Sequence, residues 1–117
     1  MSIRRIDVGP RMSQAVVHGK TVYLAGQVAA DPTATVAGQT KQILGQIDTL
    51  LATAGTDKTR ILSTNIWLAD IATFAEMNGE WDAWVPQGNT PARATTEARL
   101  AAPQYKVEIA CIAALPD

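Results

Sequence analysis

The residue with the most unusual surroundings in this sequence is Glu108, a carboxylic acid inside the most apolar stretch of the chain. Val107 precedes it, and the stretch Ile-Ala-Cys-Ile-Ala follows it to residue 113. A carboxylate among apolar neighbours is costly unless it is paired, hydrogen-bonded or kept neutral. Two interpretations stay open: a strand residue that points to water, or a carboxyl group in a cleft, suited to proton transfer.

Arg93 is the second candidate for chemistry. It follows Thr90, Pro91 and Ala92, so it begins a predicted strand directly after a rigid proline. The planar guanidinium group of arginine binds a carboxylate or a phosphate through two parallel hydrogen bonds. A surface salt bridge is the alternative interpretation.

A simple hairpin between the last two predicted strands would relate these two candidates. If residues 101–104 close it, Glu97 faces Glu108. Arg93 lies four residues before Glu97, which is about 13 Å along the strand at ~3.3 Å per residue. Side-chain alternation then places Arg93 and Glu108 on the same face of the sheet. They are then too far apart for a salt bridge within one chain, but they would flank a small ligand. A neighbouring subunit would bring them closer together.

The remaining reactive residues predict less. His18 lies beside a predicted turn and is expected to be solvated. Cys111 alternates with apolar residues and is interpreted as a core residue rather than a nucleophile. Trp81 and Trp84 are expected to be anchors of the core or of a subunit interface. The chain has one histidine and no Cys/His cluster with metal-ligand spacing, so no metal site is predicted.

The elements that position these residues are predicted in the order β-β-α-β-α-β-β. Apolar residues at helical spacing predict a helix that includes residues 43–54 and ends at Gly55. A second helix is expected to be N-capped by Asp70 and stopped by Pro86 and Gly88. Strands are predicted at residues 15–18, 21–25, 61–68, about 92–100, and 105–113.

This element order predicts an α+β fold with a mixed β-sheet and both helices on one face. The bare face would need a partner subunit, because exposed apolar surface marks an interaction site. The strand at residues 105–113 is mostly apolar, which predicts a central position with both faces covered.

Composition limits the possible functions. The 117 residues suit one domain, residues 1–117, and ten basic residues nearly balance eleven acidic ones. A nucleic-acid binder usually carries a clustered basic excess, so no nucleic-acid partner is expected. The N-terminus lacks the apolar core of a signal peptide, and the longest apolar run, residues 109–115, is too short to span a membrane. A cytoplasmic location with no membrane partner is therefore expected.

Several stretches together resemble the RidA/YjgF family (RutC-like), the reactive-intermediate imine/enamine deaminases. Residues 91–100 (PARATTEARL) and 105–109 (YKVEI) resemble its C-terminal signature. Residues 13–16 (SQAV) with 23–27 (YLAGQ) are similar to its N-terminal hairpin, and residues 74–78 (FAEMN) to its second-helix motif. Residues 81–85 (WDAWV) with 105–108 look most like the YoaB-like branch.

The resemblance implies a chorismate-mutase-like fold and a homotrimer with three ligand clefts between subunits. It implies cofactor-free hydrolysis of 2-aminoacrylate-type imines and enamines to 2-keto acids and ammonia. By the same resemblance, Arg93 binds the substrate carboxylate, Glu108 orients the water, and Asn78 and Gly26 line the cleft.

Three positions depart from the family pattern. Met12 stands where deaminating members commonly have a tyrosine, and Ala25 stands where a serine often precedes the cleft glycine. Thr95 replaces a frequent cysteine whose contacts are largely through the backbone. Since two polar contacts are lost, a second hypothesis stays open: a non-enzymatic protein that binds small keto acids. A third, ribonuclease or translation-inhibitor activity, is disfavoured by the acidic balance.

Overall fold

Six β-strands form one mixed sheet in the computed structural model, which describes residues 1–117. The order across the sheet is β1-β2-β3-β6-β4-β5, with β4 and β5 parallel and all other neighbours antiparallel. The strands are β1 (Ile3–Val8), β2 (Ser13–His18), β3 (Thr21–Leu24), β4 (Ile61–Leu68), β5 (Ala92–Glu97) and β6 (Val107–Ala114). The α+β class and the mixed sheet are confirmed, and β1 is an additional strand that the sequence did not predict.

The first helix, α1 (Val36–Ala54), follows the predicted apolar stripe. The Thr35 hydroxyl accepts a hydrogen bond from the Gly38 N–H and caps its start. Gly55 ends it in the left-handed conformation (φ 96°), which glycine adopts without a Cβ penalty. The predicted C-terminal glycine of this helix is therefore confirmed.

The second helix, α2 (Phe74–Trp84), begins later than predicted. The Asp70 carboxylate accepts a hydrogen bond from the Ala72 N–H and caps a short 3₁₀ turn, Ile71–Thr73, that runs directly into α2. The prediction that Asp70 caps the second helix is wrong by this one turn. Neither helix has the length and apolar character needed to cross a lipid bilayer.

Both helices cover the same face of the sheet. In β6, Val107, Ile109, Cys111 and Ala113 point into the core, whereas the alternate residues from Glu108 to Ala114 are half-buried. The strand is central, as predicted, but the expectation that both its faces are covered is wrong for the single chain. The other face, called here the open face, carries no helix.

The predicted hairpin of the last two strands is wrong, because β4 lies between β5 and β6. Arg93 pairs with Thr64 and Glu108 pairs with Trp67 on the two edges of β4. Thr64 is buried beneath the helices, and Trp67, three residues on, points to the open face. Arg93 and Glu108 therefore lie on opposite faces of the sheet, not on the same face.

Candidate functional site

Arg93 is held on the helix-covered face by three residues of α2. Its Nη1 donates a 2.8 Å hydrogen bond to Oδ1 of Asn78. Its guanidinium carbon lies 5.3 Å from the ring centroid of Trp81 and 5.7 Å from that of Phe74. Phe74, Asn78 and Trp81 stand at positions i, i+4 and i+7 of α2. They therefore share one face of the helix, and this face supplies all three contacts. Cation–π attraction and the amide together fix the guanidinium group.

No carboxylate of the chain neutralises this guanidinium group. The one ion pair in the structure joins Lys20 to Asp117 and does not include Arg93. Asn78 and the two aromatic rings are uncharged partners, so Arg93 keeps its full positive charge while being half-buried. A fixed, partly desolvated guanidinium with no internal anion is suited to binding an anion from outside.

Thr95 follows Arg93 by two residues and lies on the same face of β5. Its Oγ1 is buried and has no hydrogen-bond partner. A buried hydroxyl without a partner is costly, so this oxygen is available to a ligand or an ordered water. Asn78, Arg93 and Thr95 thus form one group of candidate residues, called here the arginine group.

Glu108 lies on the open face of β6, and its carboxylate packs directly over Gly26. A Cβ added to Gly26 would lie 2.1 Å from Oε2 of Glu108 and 3.0 Å from its Cδ. The chain after β3 is drawn along β6 by two backbone hydrogen bonds between Gln27 and Ile109 (2.8 and 3.1 Å). Only glycine fits at position 26 with the carboxylate in this place.

Met12, Gly26, Tyr105 and Glu108 line one open cleft of about 500 Å³. Ala25 does not line it, but its N–H donates a 2.9 Å hydrogen bond to the carbonyl of Gln14 and so joins the two walls. These residues are called here the glutamate group. The structure therefore brings Met12, Ala25, Gly26 and Glu108 together, and it does not bring Arg93, Thr95 or Asn78 to them within one chain.

A chain of amides behind the glutamate group was not predicted. Nε2 of the buried Gln27 donates to Oε1 of Gln14 (2.9 Å), and Nε2 of Gln46 donates to Oε1 of Gln27 (3.2 Å). Gln46 also donates to the carbonyl of Val28 (3.0 Å). In the sequence, the signal for these amides was Gln27, which directly follows Gly26 and the predicted strand at residues 21–25.

Gln39 was also missed. It is fully buried in α1, where its Nε2 donates to the carbonyls of Pro32, Ala34 and Gln104, and its Oε1 accepts from the N–H of Lys106. This one side chain joins the loop before α1 to the segment that leads into β6. In the sequence, the signal for Gln39 was its polar side chain four positions before Ile43, on the line of the apolar stripe.

Cys111 is buried in the core, and its Sγ lies 3.5 Å from the hydroxyl of Thr64. Burial raises the pKa of the thiol to about 11, although the Thr64 hydrogen bond opposes this. A thiol that stays protonated at neutral pH is a poor nucleophile. The prediction of a core cysteine is confirmed, and His18 is exposed as expected.

The sheet order and site define a small α+β protein with an arginine that lacks a carboxylate partner on one face of the sheet and a carboxylate over glycine on the other. A crystal structure of a YjgF protein family member from Neisseria meningitidis has the same fold, with a TM-score of 0.97 and 47% identity, covering 100% of this chain and 98% of that one. The family described as Endoribonuclease L-PSP matches residues 2–115. The chain belongs to this family, also called RidA/YjgF, as the resemblance predicted.

Two curated relatives locate the chain within the family. It is 45% identical over 115 residues to the RutC family protein YoaB of Escherichia coli K12, covering 98% of this chain and 100% of the relative. It is 36% identical over 107 residues to the 2-iminobutanoate/2-iminopropanoate deaminase of Rattus norvegicus, covering 86% of this chain and 77% of the relative. The similarity to YoaB agrees with the branch that the sequence indicated.

Proposed function

We propose that this protein is a cytosolic, cofactor-free hydrolase of small 2-imino and 2-enamino acids, releasing 2-keto acids and ammonia. We propose further that it works as a chorismate-mutase-like homotrimer, in which the arginine group of one subunit meets the glutamate group of its neighbour. The opposite orientation of Arg93 and Glu108 in one chain supports a shared cleft, because a single subunit cannot present both to one small substrate. The relative named as a deaminase supports the reaction class.

The observation that carries the proposal is the uncommitted charge of Arg93. The side chain is fixed by an amide and two aromatic rings but has no carboxylate partner. Imino and keto acids supply the missing carboxylate, and a bidentate contact fixes their orientation. Thr95 adds a buried hydroxyl beside it that still lacks a partner.

The reaction needs one positioned base and no electron carrier. Water adds to the imine carbon, the π-electron pair of the C=N bond moves to nitrogen, and Glu108 accepts a proton from the water. Glu108 passes this proton to the nitrogen, which gives the neutral carbinolamine. Glu108 then takes the proton of the carbinolamine hydroxyl group and delivers it to the nitrogen as the C–N bond breaks. Ammonia leaves with the bonding pair, and the hydroxyl oxygen becomes the ketone oxygen. An enamine enters the same sequence after tautomerising to the imine.

A second candidate is a keto-acid-binding protein without catalysis. Met12 favours it, because this side chain lines the glutamate cleft and supplies no hydroxyl group there. Ala25 likewise offers only its backbone. The arginine group serves both candidates equally, so turnover separates them.

The test measures ammonia and keto acid released from freshly generated 2-iminobutanoate, together with calorimetric binding of 2-ketobutyrate. Glu108→Gln is expected to slow hydrolysis by ~10²–10⁴ while leaving binding intact. Arg93→Ala is expected to weaken binding by about 1.5–3 kcal/mol, and Arg93→Lys also weakens it, because lysine lacks the fork. Arg60→Ala, at an exposed turn, is the control. Equal hydrolysis by wild type and Glu108→Gln would contradict the catalytic role, and binding without turnover would favour the second candidate.

Mixed trimers test the shared cleft directly. When Arg93→Ala and Glu108→Gln chains are co-expressed, a cleft with both native residues forms wherever the two variants meet in the right order. Random mixing restores about a quarter of the wild-type activity if each cleft is built from two chains. No recovery, or a stable monomer in light scattering at micromolar concentration, would contradict the shared cleft.

A further inference from the structure

Tyr105 lines the same cleft as Glu108, three residues before it in the sequence. The side chain is half-buried, and its hydroxyl group makes no hydrogen bond within the chain. A tyrosine in a partly desolvated cleft usually has a partner for its hydroxyl group. This phenol therefore has a donor without a partner in the chain, in the cleft that Glu108 also lines.

The backbone on both sides of Tyr105 is fixed by the buried amide of Gln39. Gln39 donates to the carbonyl of Gln104 (3.1 Å) and accepts from the N–H of Lys106 (3.0 Å). The carbonyl of Lys106 in turn accepts a 3.0 Å hydrogen bond from the N–H of Ala69. A fully buried side chain thus holds the two peptide units that flank Tyr105. The phenol is carried by a supported segment and not by a free loop.

The side-chain amide donors of Gln27 and Gln46 in this cleft are already committed. The Gln14 and Gln27 amides bond to each other, and Gln46 bonds to Gln27 and to Val28. Glu108 accepts hydrogen bonds but, as a carboxylate, donates none. Tyr105 is therefore the one member of the glutamate group whose side chain offers a hydrogen-bond donor, and this donor has no partner in the chain. In the same cleft, Nε2 of Gln14 also has no partner.

We infer that Tyr105 contacts the reacting end of the substrate, where its hydroxyl donates a hydrogen bond to the imine nitrogen. This inference rests on the proposed function and adds to it a residue that orients and polarises the C=N bond while Arg93 holds the carboxylate. The phenol keeps its proton; the hydrogen bond draws electron density from the imine carbon as water adds. In a bound 2-keto acid, the ketone oxygen takes the place of the imine nitrogen and accepts the same hydrogen bond.

Tyr105→Phe tests the contact because it removes the hydroxyl and keeps the ring. The expected result is a kcat lowered about tenfold with KM changed less than about twofold, as for an interaction that strengthens in the transition state. Tyr23→Phe is the matched control: it removes the only other phenol of the chain, which lies on β3 outside the cleft. Unchanged kcat in Tyr105→Phe, or a raised KM with kcat unchanged, would overturn the inference.

A second measurement does not depend on turnover. In the Tyr23→Phe protein grown with 3-fluorotyrosine, the one fluorine resonance reports position 105. Titration with 2-ketobutyrate is expected to shift it saturably, and Arg93→Ala is expected to remove the shift at the same ligand concentrations. Binding by calorimetry with an unmoved resonance would overturn the inference and leave the proposed function standing. A wild type that neither binds 2-ketobutyrate nor hydrolyses imines would overturn the proposed function, and this inference with it.

Discussion

Replacing Gly26 by alanine moves the Glu108 carboxylate without removing it. The new Cβ would lie 2.1 Å from Oε2, and an ordinary contact begins at 3.4 Å, so the carboxylate must withdraw by more than 1 Å. The backbone of Gly26 does not have a positive φ, so alanine adds no backbone strain there. Because the obstacle is the end of a flexible side chain, the fold is expected to tolerate the change. Misplacing a catalytic group by about 1 Å costs on the order of 10²-fold in rate.

The assay compares imine hydrolysis and thermal unfolding of wild type and Gly26→Ala. The expected result is a hydrolysis rate lowered about 100-fold at a nearly unchanged melting temperature. Gly45→Ala is the matched control: the same substitution in α1 meets nothing within 4 Å and is expected to stabilise the helix by about 0.5–1 kcal/mol. Full activity in a well-folded Gly26→Ala protein would refute the view that the carboxylate acts from its place over Gly26.

Two further predictions concern charge and pH. Asn78→Asp would replace the amide that Arg93 contacts at 2.8 Å by a carboxylate, which competes with the ligand for the guanidinium group. Binding of 2-ketobutyrate, measured by calorimetry, should therefore weaken at least about tenfold with the fold retained. Wild-type affinity in this variant would contradict the proposed anion site. The unfolded chain releases the Cys111 proton near its ordinary pKa of 9.0, whereas the folded chain holds it to about 11. The free energy of unfolding is therefore unaffected by this group below pH 9 and falls by up to about 2–3 kcal/mol as the pH rises through 11. Urea titrations at pH 8 and pH 10.5 should show a smaller loss in Cys111→Ala than in wild type, and equal losses would contradict burial as the cause.

The elements that the sequence predicted correctly are those whose burial leaves a periodic pattern. The stripe from Ile43 to Ala54 marks α1, and Gly55 marks its end. Strand β1 left no such signal, because Ile6 is its one buried residue and charged side chains occupy much of the rest. An edge strand with a single core contact shows no alternation that sequence reading can detect.

Pairing between strands was harder to predict than the strands themselves. Consecutive strands usually lie side by side, which favoured a hairpin of the last two, but α2 acts as a crossover that makes β5 parallel to β4. This single difference moves Arg93 and Glu108 from one face to opposite faces. The two residues were identified from their types and settings, while their relation depended on a strand order that no local pattern encodes.

The arginine and glutamate groups also differ in the sequence separation of their members. Asn78 and Arg93 belong to one β4–α2–β5 unit and lie 15 positions apart. Gly26 and Glu108 come from near opposite ends of the sequence, and their contact exists only after β6 has docked between β3 and β4. The logarithmic growth of loop-closure entropy makes the longer closure about 1.5 kcal/mol more costly. During folding, the arginine group can therefore form within a local unit, whereas the Glu108 carboxylate gains its place only with the last strand of the chain.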